Sequence, residues 1–164
     1  MDVPIKHIIG TVALIGLVAM TAMAYTIITS YIESDVKKQQ LKQIAENVAL
    51  NLVEMANLVN FENLFADRNV TKTIDVPTDL GGNVYLIELM NGIEEGQGFY
   101  VHAYLLTKNE INAHSPIPLN SNSTELLIST YNQVYSGSGE LVVWARKKAV
   151  EQRIVTEAGI AGGF

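Results

Sequence analysis

The sequence predicts an α+β fold: one long N-terminal apolar/amphipathic α-helix followed by a globular antiparallel β-sandwich head. Three observations predict it. Residues 8–32, IIGTVALIGLVAMTAMAYTIITSYI, carry no charged side chain. Residues 33–64 contain neither Pro nor Gly. After Phe65 the texture changes to short alternating runs separated by turn residues.

Residues 1–7 read as a short polar leader. The run at 8–32 is long enough for a bilayer core of about 30 Å, which takes about 20 apolar residues in a helix. It exceeds the apolar region of a secretory signal, about 7 to 15 residues, and no A-x-A-like cleavage site follows it at a polar boundary. Thr11, Thr21, Thr26, Thr29 and Ser30 do not spoil such a span, because each hydroxyl can bond a carbonyl one turn back. Small residues are dense along it, with Gly10, Ala13, Gly16, Ala19, Ala22 and Ala24. Small side chains let helix backbones approach closely, although no strict G-x-x-x-G is present. Ile8, Leu14, Leu17 and Met20 complete the set expected to face lipid or other helices.

Nothing ends the helix at the membrane surface. Ala, Leu, Glu, Gln, Lys and Met dominate residues 33–65, so an amphipathic extension is expected, giving one helix over 8–65. Leu41, Ala45, Val48, Leu52, Met55 and Val59 recur at alternating steps of four and three. That spacing makes a seam along one side of the helix. The seam suits packing on the chain's own head and suits contact with other subunits equally well.

Residues 66–164 form the head. Expected strands are 71–76, 83–89, 99–106, 126–135, 140–146 and 150–157. Pro77, Gly81-Gly82, Asn91-Gly92, Ser115-Pro116-Ile117-Pro118 and Ser136-Gly137-Ser138-Gly139 punctuate them. SGSG between two runs reads as a hairpin turn. The tail GIAGGF either finishes a strand, lies on a neighbour or stays irregular.

The formal charge of −6, with 11 scattered Lys and Arg, excludes a phosphate-neutralising nucleic-acid binder. The absence of cysteine excludes disulfides, thiolate metal sites and a Cys nucleophile. His7, His102 and His114 stand in no H-x-x-x-H arrangement, and no G-x-S-x-G or P-loop is present. His102 alternates with Tyr100 and Tyr104 in an expected strand, where a structurally satisfied ring is the simpler reading, and His114 is expected in a solvated loop. Glu94-Glu95 lacks the alternating ligands of a calcium loop. No enzyme, cofactor or metal is therefore expected. Asn69-Val70-Thr71 and Asn122-Ser123-Thr124 are glycosylation sequons in expected loops, which favours a head outside the cell. Lys6 precedes the span while Lys37, Lys38 and Lys42 follow it, the opposite bias, but long domains cross largely regardless of charge.

A very short polar leader, an apolar helix running into an amphipathic extension, and a β-rich head together resemble the type IV pilin superfamily. The archaeal branch, of adhesion-pilus subunits and archaellum-related filament and envelope proteins, is the most similar. The first acidic residue after Asp2 is Glu33, so the acid that bacterial pilins carry early in the apolar helix is absent. The leader offers only Lys6-His7 before the apolar run. The resemblance implies that residues 8–32 bundle in the centre of a homo-oligomeric helical filament after membrane insertion, with the heads outside and with sugars on Asn69 and Asn122. The runner-up role it implies is a single-pass, non-polymerising anchor whose head binds an envelope protein such as a surface layer. A membrane-tethered enzyme is a third class, for which no residue constellation speaks.

Overall fold

The computed structural model describes residues 3–61, 69–91, 98–118, 126–128, 132–150 and 153–162. It divides the chain into two units, Met1–Val36 and Lys37–Phe164. Helix α1, Val3–Phe61, runs unbroken through 59 residues: its one proline, Pro4, stands in the first turn, where a missing N–H costs no helix bond, and only two glycines interrupt the helix formers after it.

In the first unit every described side chain from His7 to Glu33 is exposed. The hydroxyls of Thr11, Thr21 and Thr29 donate to the carbonyls of His7, Leu17 and Tyr25, at 2.7, 2.8 and 2.9 Å. Those of Thr26 and Ser30 donate to Met23 and Ile27, each at 2.8 Å. The hydroxyls thereby satisfy themselves within the helix.

The second unit holds the rest of α1 and the strands β1 (Asn69–Asp75), β2 (Tyr85–Asn91), β3 (Phe99–Leu105), β4 (Asn112–Pro116), β5 (Leu126–Ile128), β6 (Gln133–Tyr135), β7 (Glu140–Val150) and β8 (Arg153–Gly162). They form two four-stranded sheets, ordered β1-β7-β8-β5 and β4-β3-β2-β6. Pairing is antiparallel throughout except for β5, which runs parallel to β8. The α+β class thus holds.

Three expectations about the strands need correction. Residues 112–116, read as loop and breaker, form β4. Residues 126–135, read as one strand, divide between β5 in the first sheet and β6 in the second. SGSG is no hairpin turn, because β6 pairs with β2 whereas β7 pairs with β1 and β8. Ser136–Ser138 instead makes a 3-10 turn that carries the chain from one sheet to the other. It ends at Gly139, whose φ of 68° lies in the left-handed region, and Gly139 O accepts from Val76 N at 3.1 Å. Of the tail, residues 159–162 complete β8.

One hydrophobic cluster draws on α1 and on both sheets. Period-2 alternation selects its members: Leu141, Val143 and Ala145 from β7, Ala158 and Ile160 from β8, Tyr85, Ile87 and Leu89 from β2, Val101, Ala103 and Leu105 from β3. Tyr85 is fully buried, and its hydroxyl donates to Pro77 O at 2.6 Å. Burial, with a smaller contribution from the Asp79 carboxylate, pushes its phenol up to about 12. Leu80 and Asn83 exchange backbone bonds of 3.0 and 3.3 Å around Gly81 and Gly82, at φ 60° and 75°. Two successive positive φ values make this a type I′ turn, which explains the glycine pair.

Candidate functional site

Two surfaces stand out, one on each unit. The first is the bare half of α1. Ile8, Leu14, Leu17 and Met20 are exposed, as are Gly10, Ala13, Gly16, Ala19 and Ala24. A Cβ on Gly10 or Gly16 would meet open space, so nothing within the chain requires a small residue there. Among the described residues this is the one helix long and apolar enough to cross a membrane.

The seam residues behave in the opposite way. Leu41, Ala45, Val48, Leu52, Met55 and Val59 are all buried and all belong to the core cluster. The buried face is wider than the seam and also takes Ile44, Ala49 and Ala56. That is the broader stripe of a helix on a globular core, whereas a strict a/d seam is the narrower signature of a coiled coil. Polar contacts flank it: Lys72 Nζ meets Glu54 Oε2 at 2.6 Å, and Thr156 donates to Asn60 Oδ1 at 3.0 Å.

The second surface is the outer face of the β4-β3-β2-β6 sheet, where strand register sets side chains in rows. One row runs Asn112, Tyr104, Leu86, Tyr135; the next runs His114, His102, Glu88, Gln133; the third runs Pro116, Tyr100, Met90. The middle row is a polar chain. His102 Nδ1 lies 2.9 Å from Glu88 Oε1, and Gln133 Nε2 donates to Glu88 Oε2 at 3.1 Å. Aromatic rings frame it, with His102 and Tyr104 centroids 5.1 Å apart and Tyr100 edge-on to His114 at 6.3 Å. Burial, then the Glu88 carboxylate, then Tyr135 raise the Tyr104 phenol above its ordinary value. His102 is indeed held in a strand contact, but His114 lies on β4 and is no loop residue.

On the outer face of the other sheet, Glu157 is nearly buried and accepts on one oxygen, Oε2, from both Arg146 Nε and Nη2 at 2.7 and 2.6 Å, a charge-assisted contact between register partners. Asn69 also falls on this sheet. It is exposed and opens the edge strand β1, so it is not the loop residue the sequence suggested. Asn122 and the Glu94-Glu95 pair lie outside the described residues.

A cleft of about 290 Å³ beside α1 is lined by Gln40, Gln43, Ile44, Asn47, residues 75–77 and Leu80, with Asp75 its one ionisable side chain. One carboxylate without a base or nucleophile makes no catalytic set. Among the described residues, no group of three or more His, Asp or Glu side chains converges to enclose a metal ion.

No family model matches the chain, no curated protein is similar to it, and no solved structure matches its fold. One long apolar N-terminal helix with largely antiparallel sheets is compatible with a pilin-like fold and with membrane insertion.

Proposed function

We propose that the chain is a structural subunit of an archaeal type IV pilus-like cell-surface filament, inserted in the membrane first and polymerised by bundling of its apolar helices. One observation carries this reading: residues 8–32 expose apolar side chains around the whole helix, whereas the stripe farther along α1 is already covered by the head. A helix apolar on every side needs a nonaqueous environment over its full circumference. Lipid provides it before assembly, and neighbouring copies of the same helix provide it afterwards. Gly10 and Gly16, with no intrachain role, allow close approach of such copies.

Electron microscopy of sheared cell-surface material, with mass spectrometry of the fibres, tests this directly. The chain is expected as the major fibre component. Leu17→Lys is expected to abolish fibres by placing an unpaired charge in an apolar bundle. Fibres that form normally with Leu17→Lys, or a chain recovered only from detergent-solubilised membranes, would sink the proposal.

A second reading is a single-pass anchor whose head binds an envelope protein such as a surface layer. It is favoured by the hydroxyls of residues 11–30, which bond their own helix carbonyls and so need no partner helix. Under that reading Leu17→Lys impairs membrane retention, and no fibre forms with either sequence.

A further inference from the structure

We propose that His102 and His114 form a surface chelate for a divalent transition-metal ion of the kind imidazole prefers (Cu²⁺, Zn²⁺ or Ni²⁺), with Glu88 as the positioning residue. The site does not depend on whether the chain polymerises.

The argument begins with register. His102 on β3 is directly opposite His114 on β4. Ile117 N donates to Phe99 O at 2.8 Å and Leu105 N to Ile111 O at 3.1 Å, so pairs 99/117 and 105/111 are the hydrogen-bonded kind. Such pairs alternate along an antiparallel ladder, which makes 102/114 a non-hydrogen-bonded pair. Those are the closer pairs, with Cα atoms about 4.5 Å apart and Cβ atoms about 4.5–5.5 Å apart. Two imidazoles rising from such a pair can close on one ion at metal–nitrogen distances of about 2.0–2.1 Å.

The second observation concerns which nitrogen is available. Metal-binding histidines characteristically give their other ring N–H to a carboxylate, which fixes tautomer and ring orientation. His102 has that arrangement: Nδ1 sits 2.9 Å from Glu88 Oε1, so the proton belongs on Nδ1 and the lone pair on Nε2. Glu88 is itself held by Gln133 at 3.1 Å. His114 is exposed, with its ring edge-on to Tyr100, and reaches the ion by swinging away from that contact. The two protein nitrogens leave the remaining coordination positions to water, an open geometry consistent with the lack of any three-ligand cage among the described residues. Imidazole ligands select Cu²⁺, Ni²⁺ and Zn²⁺ over Ca²⁺ and Mg²⁺, which prefer oxygen.

The full chain, produced without a polyhistidine tag and held in mild detergent, is titrated with Zn²⁺ by calorimetry and with Cu²⁺ by electron paramagnetic resonance. One ion per chain is expected, with nitrogen hyperfine structure from two imidazoles on Cu²⁺. His114→Ala, at an exposed position, is expected to remove the saturable step without changing the melting temperature. Glu88→Gln is expected to keep the two-nitrogen Cu²⁺ spectrum while weakening affinity by roughly 10-fold, the lower end for loss of an outer-shell carboxylate. His7→Ala, the remaining histidine, is expected to change nothing. The proposal is overturned if the unaltered chain shows no saturable step, if His114→Ala binds as tightly as the parent, or if His7→Ala removes the binding.

Discussion

The two halves of α1 are built from similar residue types and do opposite things. Over 8–32 the apolar residues surround the helix, and Leu17 is 67% exposed; over 41–59 most of them form one buried stripe, with Leu52 2% exposed, and only Leu50 and Leu58 stand outside it. The charges make the difference. Lys42, Glu46 and Glu54 mark a wet side on the second half and leave the apolar stripe one surface to cover, which the two sheets provide. With no charge from Ile8 to Ile32, the first half has no wet side, and its side chains are exposed all round. Amphipathicity therefore commits a helix to its own fold, and uniform apolarity leaves it for an environment that other molecules supply.

The contrast can be broken most severely by a charge. Val48→Asp puts an unpaired carboxylate at a fully buried position and should cost more than about 4 kcal/mol, enough to unfold the head. Leu17→Lys should leave the head's melting temperature unchanged in detergent. Circular dichroism melts of both variants check this pair, and equal losses would erase the distinction between the halves. Truncation sharpens it: Leu52→Ala is expected to destabilise the head by about 2–5 kcal/mol, and Leu14→Ala by less than about 0.5 kcal/mol. Denaturant titration in detergent reads both.

Alkali acts on the head through Tyr85. Its phenol titrates near 12 when folded against about 10 when unfolded, so between these values the unfolded chain binds fewer protons and stability falls as pH rises. Two pKa units correspond to about 2–3 kcal/mol, fully present below pH 10 and lost by pH 12. Urea midpoints from pH 9 to 12 should decline accordingly, and Tyr85→Phe should flatten the decline. The smallest effect belongs to the partly exposed Lys72–Glu54 pair. Lys72→Met is expected to cost no more than about 1 kcal/mol, since solvent screens such pairs; a larger loss would mean that the junction of β1 with the covered half of α1 is more electrostatic than its exposure implies.

The helix was legible because its signals are local: no breaker, one uniform run and one stripe. Strands β1, β2, β3 and β7 were legible from alternation. β4 was not, because Pro116 reads as a breaker. Its position resolves the conflict. β4 is an edge strand, and Pro116 pairs with Tyr100 in a non-hydrogen-bonded pair, so the N–H that proline lacks would have pointed away from β3. SGSG signalled a reversal correctly but not its partner, since whether flanking strands pair with each other is decided by the distant strands β1 and β2. For the same reason the polar row was invisible. His102 and Glu88 are 14 residues apart, and His102 and His114 are 12 apart; only register brings them together.

Trp144 lies across from Gly159, and a Cβ there would fall 2.6 Å from the indole Cζ2, so the ring occupies the space a side chain would fill. It is also the molecule's single tryptophan, with the Arg146 guanidinium 5.6 Å from its ring. Ultraviolet emission from this protein consequently originates where β7 meets β8, beside a cation and far along the sequence from the greasy segment. Quenching and red shift would follow loss of that strand pair alone, giving an optical gauge of head integrity that works unlabelled in micelles, vesicles or fibres.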